Sequence, residues 1–393
     1  MKKDNINVNS ETTAEPEVQK LDLPEGVPPL FTFYLYLTNG CNLACRHCWI
    51  TPTFVNGKPS PGDCLDLDLL KLAVKEGKTL GLSNAKLTGG EPVLHPRFVE
   101  IVDYLSAENI KLNMEANGTL IDAGLAKHLK NNSTMWHVSV SLDSVDPKKH
   151  DGFRGVKGAF KAAVKGIENL VNAGFKPQVI MCPHRGNIKE VEDLIKLSVN
   201  LGAGSVKFNP VTPTGRGKIM DEKGETLDYD EIINLVRFIR GEIQDRTSVP
   251  LFISTPPALS TIKEILHERN AGGECRVLNI LGILGDGEMA LCGIGRNIPE
   301  LCFGELGRDD LRTIWFSHPA LVKLRNDLNG DYPGICGDCI HAKRCLTQCV
   351  AMNYVRTGKL FNPDILCEVA EQKGNFPITR KRGFPMGNSM HAN

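Results

Sequence analysis

Three cysteines within eight residues, Cys41, Cys45 and Cys48, constrain this chain more than any other feature. They read Cys-Asn-Leu-Ala-Cys-Arg-His-Cys and follow directly on a strand-like run over 31–37. Three thiolates cannot complete the four-ligand tetrahedral shell of a structural zinc unaided. They can hold three irons of a [4Fe–4S] cluster and leave the fourth iron open to a small chelating ligand. A structural zinc knuckle is the bland alternative.

The chain has 393 residues, enough for one large domain and a smaller one. Lys plus Arg and Asp plus Glu balance at 46 each, so no global basic field draws in nucleic acid. The run Arg380-Lys381-Arg382 lies in a polar C-terminal tail and reads as solvated charge. Residues 1–20 are polar and acidic, without the apolar stretch of a signal peptide. No run of eighteen apolar residues offers a membrane span. Thirteen cysteines, an odd number in tight C-x2-C clusters, argue for metal sites over disulfides. The expectation is an oxygen-sensitive cytoplasmic protein with no nucleic-acid and no membrane partner.

Residues 1–30 read as a flexible arm, broken by Pro24, Pro28 and Pro29. Strand-like runs follow at 31–37, 85–88, 110–115, 136–142, 177–182 and 205–209. Helical runs lie between them, at 65–77, 97–107, 159–173 and 188–201. This α/β alternation over 31–217 predicts a parallel sheet with outer helices. Periodicity alone does not separate a doubly wound sheet from a partial barrel. The polar motifs fall just after strand ends, as barrel-type sites require. One helix over 229–243 is expected within a linker, 218–249. From 250 to 375 the pattern gives way to Pro256-Pro257, glycines and clustered cysteines. That stretch has too few apolar helices for a large core, so metal is expected to hold it together. Residues 376–393 read as a polar tail.

The C-x3-C-x2-C spacing, with the aromatic His47 before its last cysteine, resembles the signature of the radical S-adenosylmethionine (radical SAM) superfamily. The resemblance covers roughly 31–216 and implies a partial (β/α)6 TIM-like barrel. It implies that the open iron takes the amino and carboxylate groups of SAM. A donor such as flavodoxin or ferredoxin would reduce the cluster, which then cleaves SAM to a 5′-deoxyadenosyl radical. Thr88-Gly89-Gly90-Glu91-Pro92 resembles the superfamily's GGE motif, whose backbone binds the SAM amino group. Its glycines let the backbone come close to a ligand, and Glu91 supplies an acceptor. The segments Asn117-Gly118-Thr119, Ser139-Val140-Ser141-Leu142-Asp143 and Asp151-Gly152-Phe153-Arg154-Gly155 also resemble parts of this superfamily. By that resemblance Ser141, Asp143 and Arg154 are candidates for the SAM ribose and carboxylate, since an arginine fork suits a carboxylate. The ordinary readings are Asp143 as a helix cap and Arg154 as a surface charge. Asn117 and Asn187 either face the site or cap the next helix. Arg216 either lies near SAM or ends the barrel.

The second domain carries C-x11-G-x4-C from Cys275 through Gly287 to Cys292. It continues with Cys336-x2-Cys339-x5-Cys345-x3-Cys349 and ends at Cys367. This series resembles the SPASM domain, which holds two auxiliary [4Fe–4S] clusters, for three clusters in the whole chain. A zinc ribbon is the alternative. By the family arrangement Cys336, Cys339, Cys345 and Cys367 would ligate the distal cluster. Cys275, Cys292 and Cys349 would ligate the one nearer the barrel, which is then one thiolate short. Either Cys302 completes it or an iron stays open. Cys64, Cys182 and Cys302 are otherwise unassigned. A free cysteine is usually a small buried hydrophobe, but Cys182 ends a strand on the face where a barrel's chemistry sits.

The family resemblance implies an enzyme that abstracts hydrogen from a peptide substrate and modifies it oxidatively, by cross-link, excision or a related change. Where the peptide has a leader, a separate protein or the barrel mouth and tails would recognise it. Gly293 stands where the sulfatase-maturing branch has Asp, which argues against that branch. The alternative is a radical SAM enzyme acting on a small molecule such as a tetrapyrrole or cofactor precursor. An electron carrier without turnover is disfavoured by the intact Cys41/Cys45/Cys48 and Gly89–Glu91 motifs. Sequence alone names neither the bond formed nor the substrate-side acid and base.

Overall fold

The structure is a computed structural model that describes residues 21–50, 54–55, 58–60, 62–261, 265, 277–328 and 330–383. Six strands alternate with helices as their period-two patterns require: β1 (Thr32–Tyr36), β2 (Asn84–Thr88), β3 (Lys111–Ala116), β4 (Met135–Ser141), β5 (Gln178–Met181) and β6 (Ser205–Phe208). All pair in parallel and in chain order. One face of each strand is apolar and buried, as in Phe33 and Leu35, Ala85 and Leu87, or Val206 and Phe208. That face packs under helices α1 (Leu67–Thr79), α2 (Phe98–Ala107), α3 (Ala123–Asn131), α5 (Ala159–Asn172) and α6 (Val191–Asn200), whereas α4 (Pro147–Arg154) buries Phe153 in a separate small cluster with Val211 and Met220. The opposite face carries Tyr34, Lys86, Glu115, His137, Gln178 and Lys207, all half-buried. A barrel interior is normally filled by branched apolar side chains; this one is polar. Helices α1, α3 and α4 start where Asp66, Asp122 and Asp146 accept backbone N–H bonds at their N-caps.

The barrel sheet does not stop where the alternation ends. A seventh parallel strand, β7 (Leu251–Ile253), extends β6. Strand β8 (Ile280–Ile283) pairs in parallel with the other edge, β1, and carries the antiparallel β9 (Glu288–Ala290) and β10 (Cys302–Glu305). The sheet therefore runs β10-β9-β8-β1-β2-β3-β4-β5-β6-β7, and the boundary expected at residue 250 falls inside it. Leu281, Ile283, Met289, Trp315 and Leu321 belong to the same apolar core as Phe33 and Leu87. The expectation that metal alone holds the C-terminal region is corrected accordingly. It contributes strands and a buried tryptophan to the main core. A second, small core surrounds Cys336, Cys339 and Cys367 with Tyr332, Ile335 and Phe376.

The ends also differ from expectation. From residue 21 the arm is docked: Leu30 is buried and donates to Leu80 O, and Trp315 Nε1 donates to Pro28 O at 2.9 Å. The start of the tail pairs with the last cysteine turn through a Cys339–Lys381 bridge, and Arg380 Nη2 donates to Ser260 O at 3.2 Å. The basic run is thus anchored by its backbone rather than loose in solvent. The helix expected over 229–243 is α-helical over Tyr229–Arg237 and π-helical over Phe238–Ile243. Among the described residues no helix is long and apolar enough to cross a membrane.

Candidate active site

The loop after β1 carries Cys41, Cys45 and Cys48 into a cavity of about 330 Å3. Three neighbouring backbones fix its path. Gly90 N donates to Thr38 O at 2.8 Å and Glu91 N to Gly40 O at 2.9 Å. A Cβ on Gly90 would lie 1.8 Å from Gly40 O, and Gly89 holds φ +132° beside Thr38 O. Both positions therefore need glycine because two backbones touch. On the other side, the end of α4 receives Ala44 N at Arg154 O (3.0 Å) and Arg46 N at Phe153 O (2.9 Å). Arg216 N donates to Cys48 O at 2.9 Å, which closes the clamp from the end of the barrel.

Of the residues singled out by sequence, His47, Gly89, Gly90, Asn117, Ser141 and Arg154 line this cavity with the three cysteines. Asn117 Nδ2 donates to Asn42 Oδ1 at 2.8 Å and lies 3.8 Å from Cys41 Sγ. Arg154 Nη1 lies 3.6 Å from Cys45 Sγ. Glu91 and Asp143 stand behind the wall. Glu91 Oε2 accepts Asn117 N–H at 2.7 Å, and burial pushes its pKa up to about 7. Asp143 Oδ2 pairs with Arg154 Nε at 2.6 Å and Nη2 at 2.5 Å, while its Oδ1 accepts Cys182 N–H at 2.8 Å. Burial alone would raise the Asp143 pKa; Arg154, together with His47, His150 and the Cys182 N–H, outweighs it and holds the carboxyl below its ordinary value. Asp143 is not a helix cap and Arg154, 6% exposed, is not a surface charge. Asn187 braces the loop after β5, donating to Asp143 O at 2.9 Å and to Cys182 O at 3.1 Å.

His47 stacks on Phe153 at 4.4 Å, and Phe153 stacks on His184 at 4.4 Å. Burial, with Arg154 nearby, pulls the His47 pKa down to about 3, so the ring is neutral. Its Nδ1 and the Nε and Nη2 of Arg216 are buried without a hydrogen-bond partner. Burial pushes the Cys41 thiol up to about 12 and raises Cys45 as well. A thiol this desolvated becomes an anion when a metal takes its proton's place. Three thiols lining one cavity leave a lone zinc one protein ligand short, whereas they can hold three irons of a [4Fe–4S] cluster.

Cys182 lines the cavity from the end of β5, on the face the sequence assigns it, but the sequence reading missed other parts of the wall. Glu115, Ile180 and Asn209 come from β3, β5 and the end of β6, and Trp49, Ile294 and Met352 come from the cysteine loop and the C-terminal region. Inward period-two positions signal the first group; nothing local signals Ile294 or Met352. Burial raises the Cys182 thiol far above its ordinary pKa. Gly293 N donates to Tyr36 Oη at 2.7 Å, and a Cβ there would lie 2.3 Å from the Tyr36 ring and 2.4 Å from Trp49. No aspartate fits at that position.

Cys336, Cys339, Cys345 and Cys367 gather in the small C-terminal core, where each thiol's pKa is raised by burial first. Cys292 lies near Cys349 and at the barrel side. Cys275 lies outside the described residues. Cys302 Sγ donates to Gly295 O at 3.7 Å and Arg296 O at 3.4 Å, and faces Asp286 and Glu288. Cys64 sits in an isolated bridge with Thr38, away from the cavity.

Residues 35–198 match the family model of the radical SAM superfamily, and residues 275–340 match that of SPASM, an iron–sulfur cluster-binding domain. The AdoMet-dependent heme synthase of Methanosarcina barkeri is 28% identical over 84% of this chain and 94% of its own length. The mycofactocin maturase MftC of Mycobacterium ulcerans is 28% identical over 84% of this chain and 86% of its own. The crystal structure of Streptococcus suis SuiB bound to the precursor peptide SuiA superposes with a TM-score of 0.66 at 17% identity, covering 87% of this chain and 76% of SuiB.

Proposed function

Because the chain belongs to the radical SAM superfamily and carries a SPASM domain, we propose that it modifies a ribosomally made peptide oxidatively. Its cofactors are S-adenosylmethionine and iron–sulfur clusters. Three [4Fe–4S] clusters are proposed: one at Cys41, Cys45 and Cys48, one at Cys336, Cys339, Cys345 and Cys367, and one at Cys275, Cys292 and Cys349. Bound at the first site, the cluster and SAM supply a carbon-centred radical able to take hydrogen from an unactivated C–H bond. The protein's own contribution is placement. Gly89 and Gly90 present backbone groups at the cavity edge, and His47 is packed flat against Phe153. Asn117 and Arg154, each fixed by a buried carboxylate, offer donors for SAM. Ile294 and Met352 exclude water from the side facing the C-terminal region. A reducing donor such as flavodoxin or ferredoxin is proposed as the electron source, and a cytoplasmic site of action follows from the reduced clusters.

The observation that carries the peptide reading is the cavity's size. At about 330 Å3 it is at the low end for one small ligand. With SAM seated there, a substrate reaches in with a single reacting group, as a side chain or terminus on an extended peptide does. The M. barkeri heme synthase, alike over nearly its full length, favours a second reading with a tetrapyrrole substrate presenting one edge. Anaerobic co-expression with the short reading frames flanking the gene tests both. Deuterium transferred from a labelled peptide into 5′-deoxyadenosine is the expected result. Transfer from a labelled tetrapyrrole instead, with none from peptide, sinks the first reading.

A further inference from the structure

Three charges inside the barrel have no part in the placement of cluster or SAM. Lys86 on β2, Glu115 on β3 and Lys207 on β6 project from inward-facing positions. Lys86 Nζ lies 2.8 Å from Glu115 Oε1 and 5.1 Å from the centroid of the Tyr34 ring. Glu115 lines the cavity beneath the cysteine loop. Lys207 pairs in register with Ile180 and stands two residues before Asn209 on the same inward face. Both of those neighbours line the cavity as well. Lys207 is thus one step below the cavity wall, with the Glu115 carboxylate, the Lys86 ammonium and the Cys182 thiol as its titratable neighbours.

The charges do not balance. Two ammonium groups face one carboxylate, and Lys86 already holds that carboxylate. Among the described residues Lys207 makes no ion pair or hydrogen bond of its own. The other titratable neighbours do not supply an anion. Burial raises the Cys182 thiol, and burial lowers the His137 imidazole, so both are neutral. Burial also pushes the Lys207 ammonium below its ordinary pKa, as an incompletely compensated cation requires. A cation in a confined, partly dehydrated chamber attracts an anion more strongly than a surface lysine does.

We propose that Lys207, with Lys86 steered beside it by Glu115, receives a carboxylate of the substrate. That contact would seat the substrate's acidic end on the barrel floor and turn the carbon next to it towards the cysteine loop. The inference rests on the proposed function in one respect, that the cavity is where substrate reacts. The carboxylate has two sources, a peptide terminus or side chain and a tetrapyrrole propionate, and the same lysine would take either.

The test uses the anaerobically reconstituted holoenzyme with SAM and a fluorinated acyl-glycine probe, 4-fluorohippurate, against its carboxamide. Fluorine relaxation should show saturable binding of the carboxylate, with the carboxamide about tenfold weaker. Lys207→Met should weaken the carboxylate about tenfold and leave the carboxamide unmoved, and Lys207→Arg should restore much of the loss. Equal binding of the two probes by the wild type overturns the proposal. So does undiminished carboxylate binding by Lys207→Met. A loss of SAM binding in that variant, with iron content intact, assigns the lysine to SAM and overturns it too. Should Lys207→Met fail to hold iron, Lys207→Gln and the wild-type pair of probes still decide. A Lys207-dependent affinity for a porphyrin tetracarboxylate, with none for a carboxylate-ended peptide, keeps the subsite and sinks the peptide reading.

Discussion

Glu91 serves the cavity without lining it. Its carboxylate accepts Asn117 N–H at 2.7 Å and Val93 N–H at 3.4 Å, and so holds the loop that carries Asn117 to the cysteines. Glu91→Ala leaves a buried N–H without a partner, at a cost of about 1–3 kcal/mol. Glu91→Gln keeps an acceptor and should lose well under half of that. Urea unfolding of the anaerobic holoprotein measures both, and equal losses would show that the carboxylate matters only as bulk. His150 makes a second residue-scale prediction. Its Nδ1 accepts Asp143 N–H at 3.2 Å, which needs the neutral ring, and burial together with Arg154 lowers its pKa to about 4. The unfolded chain therefore binds this proton more readily, near the ordinary pKa of about 6.5. Stability from this group is complete above that value and drains as pH falls towards 4, by about 3 kcal/mol. Glu91 slopes the other way, since its pKa of about 7 lies above the ordinary carboxylate value and its share is lost as pH rises. The His150 contribution must be read as a difference, and His150→Gln should flatten it between pH 6.5 and 4. A pH profile unchanged by that substitution would refute the assignment.

At the scale of elements, the strand–helix alternation of the barrel could be read from period-two runs, and all six strands lie within a few residues of where the sequence puts them. Helix α4 could not. Its eight residues, Pro147–Arg154, carry a short polar pattern with no apolar stripe, so only the buried pair Asp143–Arg154 reveals what the segment is for. Strand β8 was equally hidden, because its role is to pair with β1 across a separation of some 250 residues, which no local period encodes. The turn after Cys345 is a third case. Leu346, Thr347 and Gln348 all adopt left-handed φ, at 51°, 59° and 65°, at about 1–2 kcal/mol each. Asn353 Nδ2 holds the turn by donating to Thr347 O at 2.9 Å and Oγ1 at 3.1 Å. The reversal sends Cys345 towards Cys336 and Cys367, and Cys349 towards Cys292. Strand β10 meanwhile points Cys302 at Asp286 and Glu288. The proposed nearer cluster is then expected to take no fourth thiolate from β10. Cys302→Ser should keep full iron, whereas Cys349→Ser should lose about four irons, the content of one [4Fe–4S] cluster. Iron loss in Cys302→Ser would place that thiol on the cluster.

The whole molecule is built so that the C-terminal region finishes the barrel rather than hanging from it. Strand β8 covers the β1 edge, pairing Thr32–Leu35 with Ile280–Ile283, and β1 runs directly into the cysteine loop. Gly293 fastens the same region to Tyr36 and Trp49 on either side of Cys41–Cys48. Two cavity walls, Ile294 and Met352, come with it. Removing it would bare the backbone of β1, an unpaired edge prone to associate with other chains. It would also uncover the apolar side chains that now meet Leu281, Ile283, Met289 and Trp315, each worth about 1.5–3 kcal/mol when buried. Together these are comparable to the whole stability margin of an ordinary domain, about 5–15 kcal/mol. A chain ending at residue 249 should therefore aggregate or be rapidly cleaved by protease. Its Cys41 loop should hold no stable iron, although every residue of the first cysteine motif is present. Iron and sulfide analysis, with SAM binding by equilibrium dialysis, checks this on the truncated chain beside the full one. Four irons and full-strength SAM binding in the short chain would mean that the barrel is complete without its last strands, and that the shared sheet is only a docking contact.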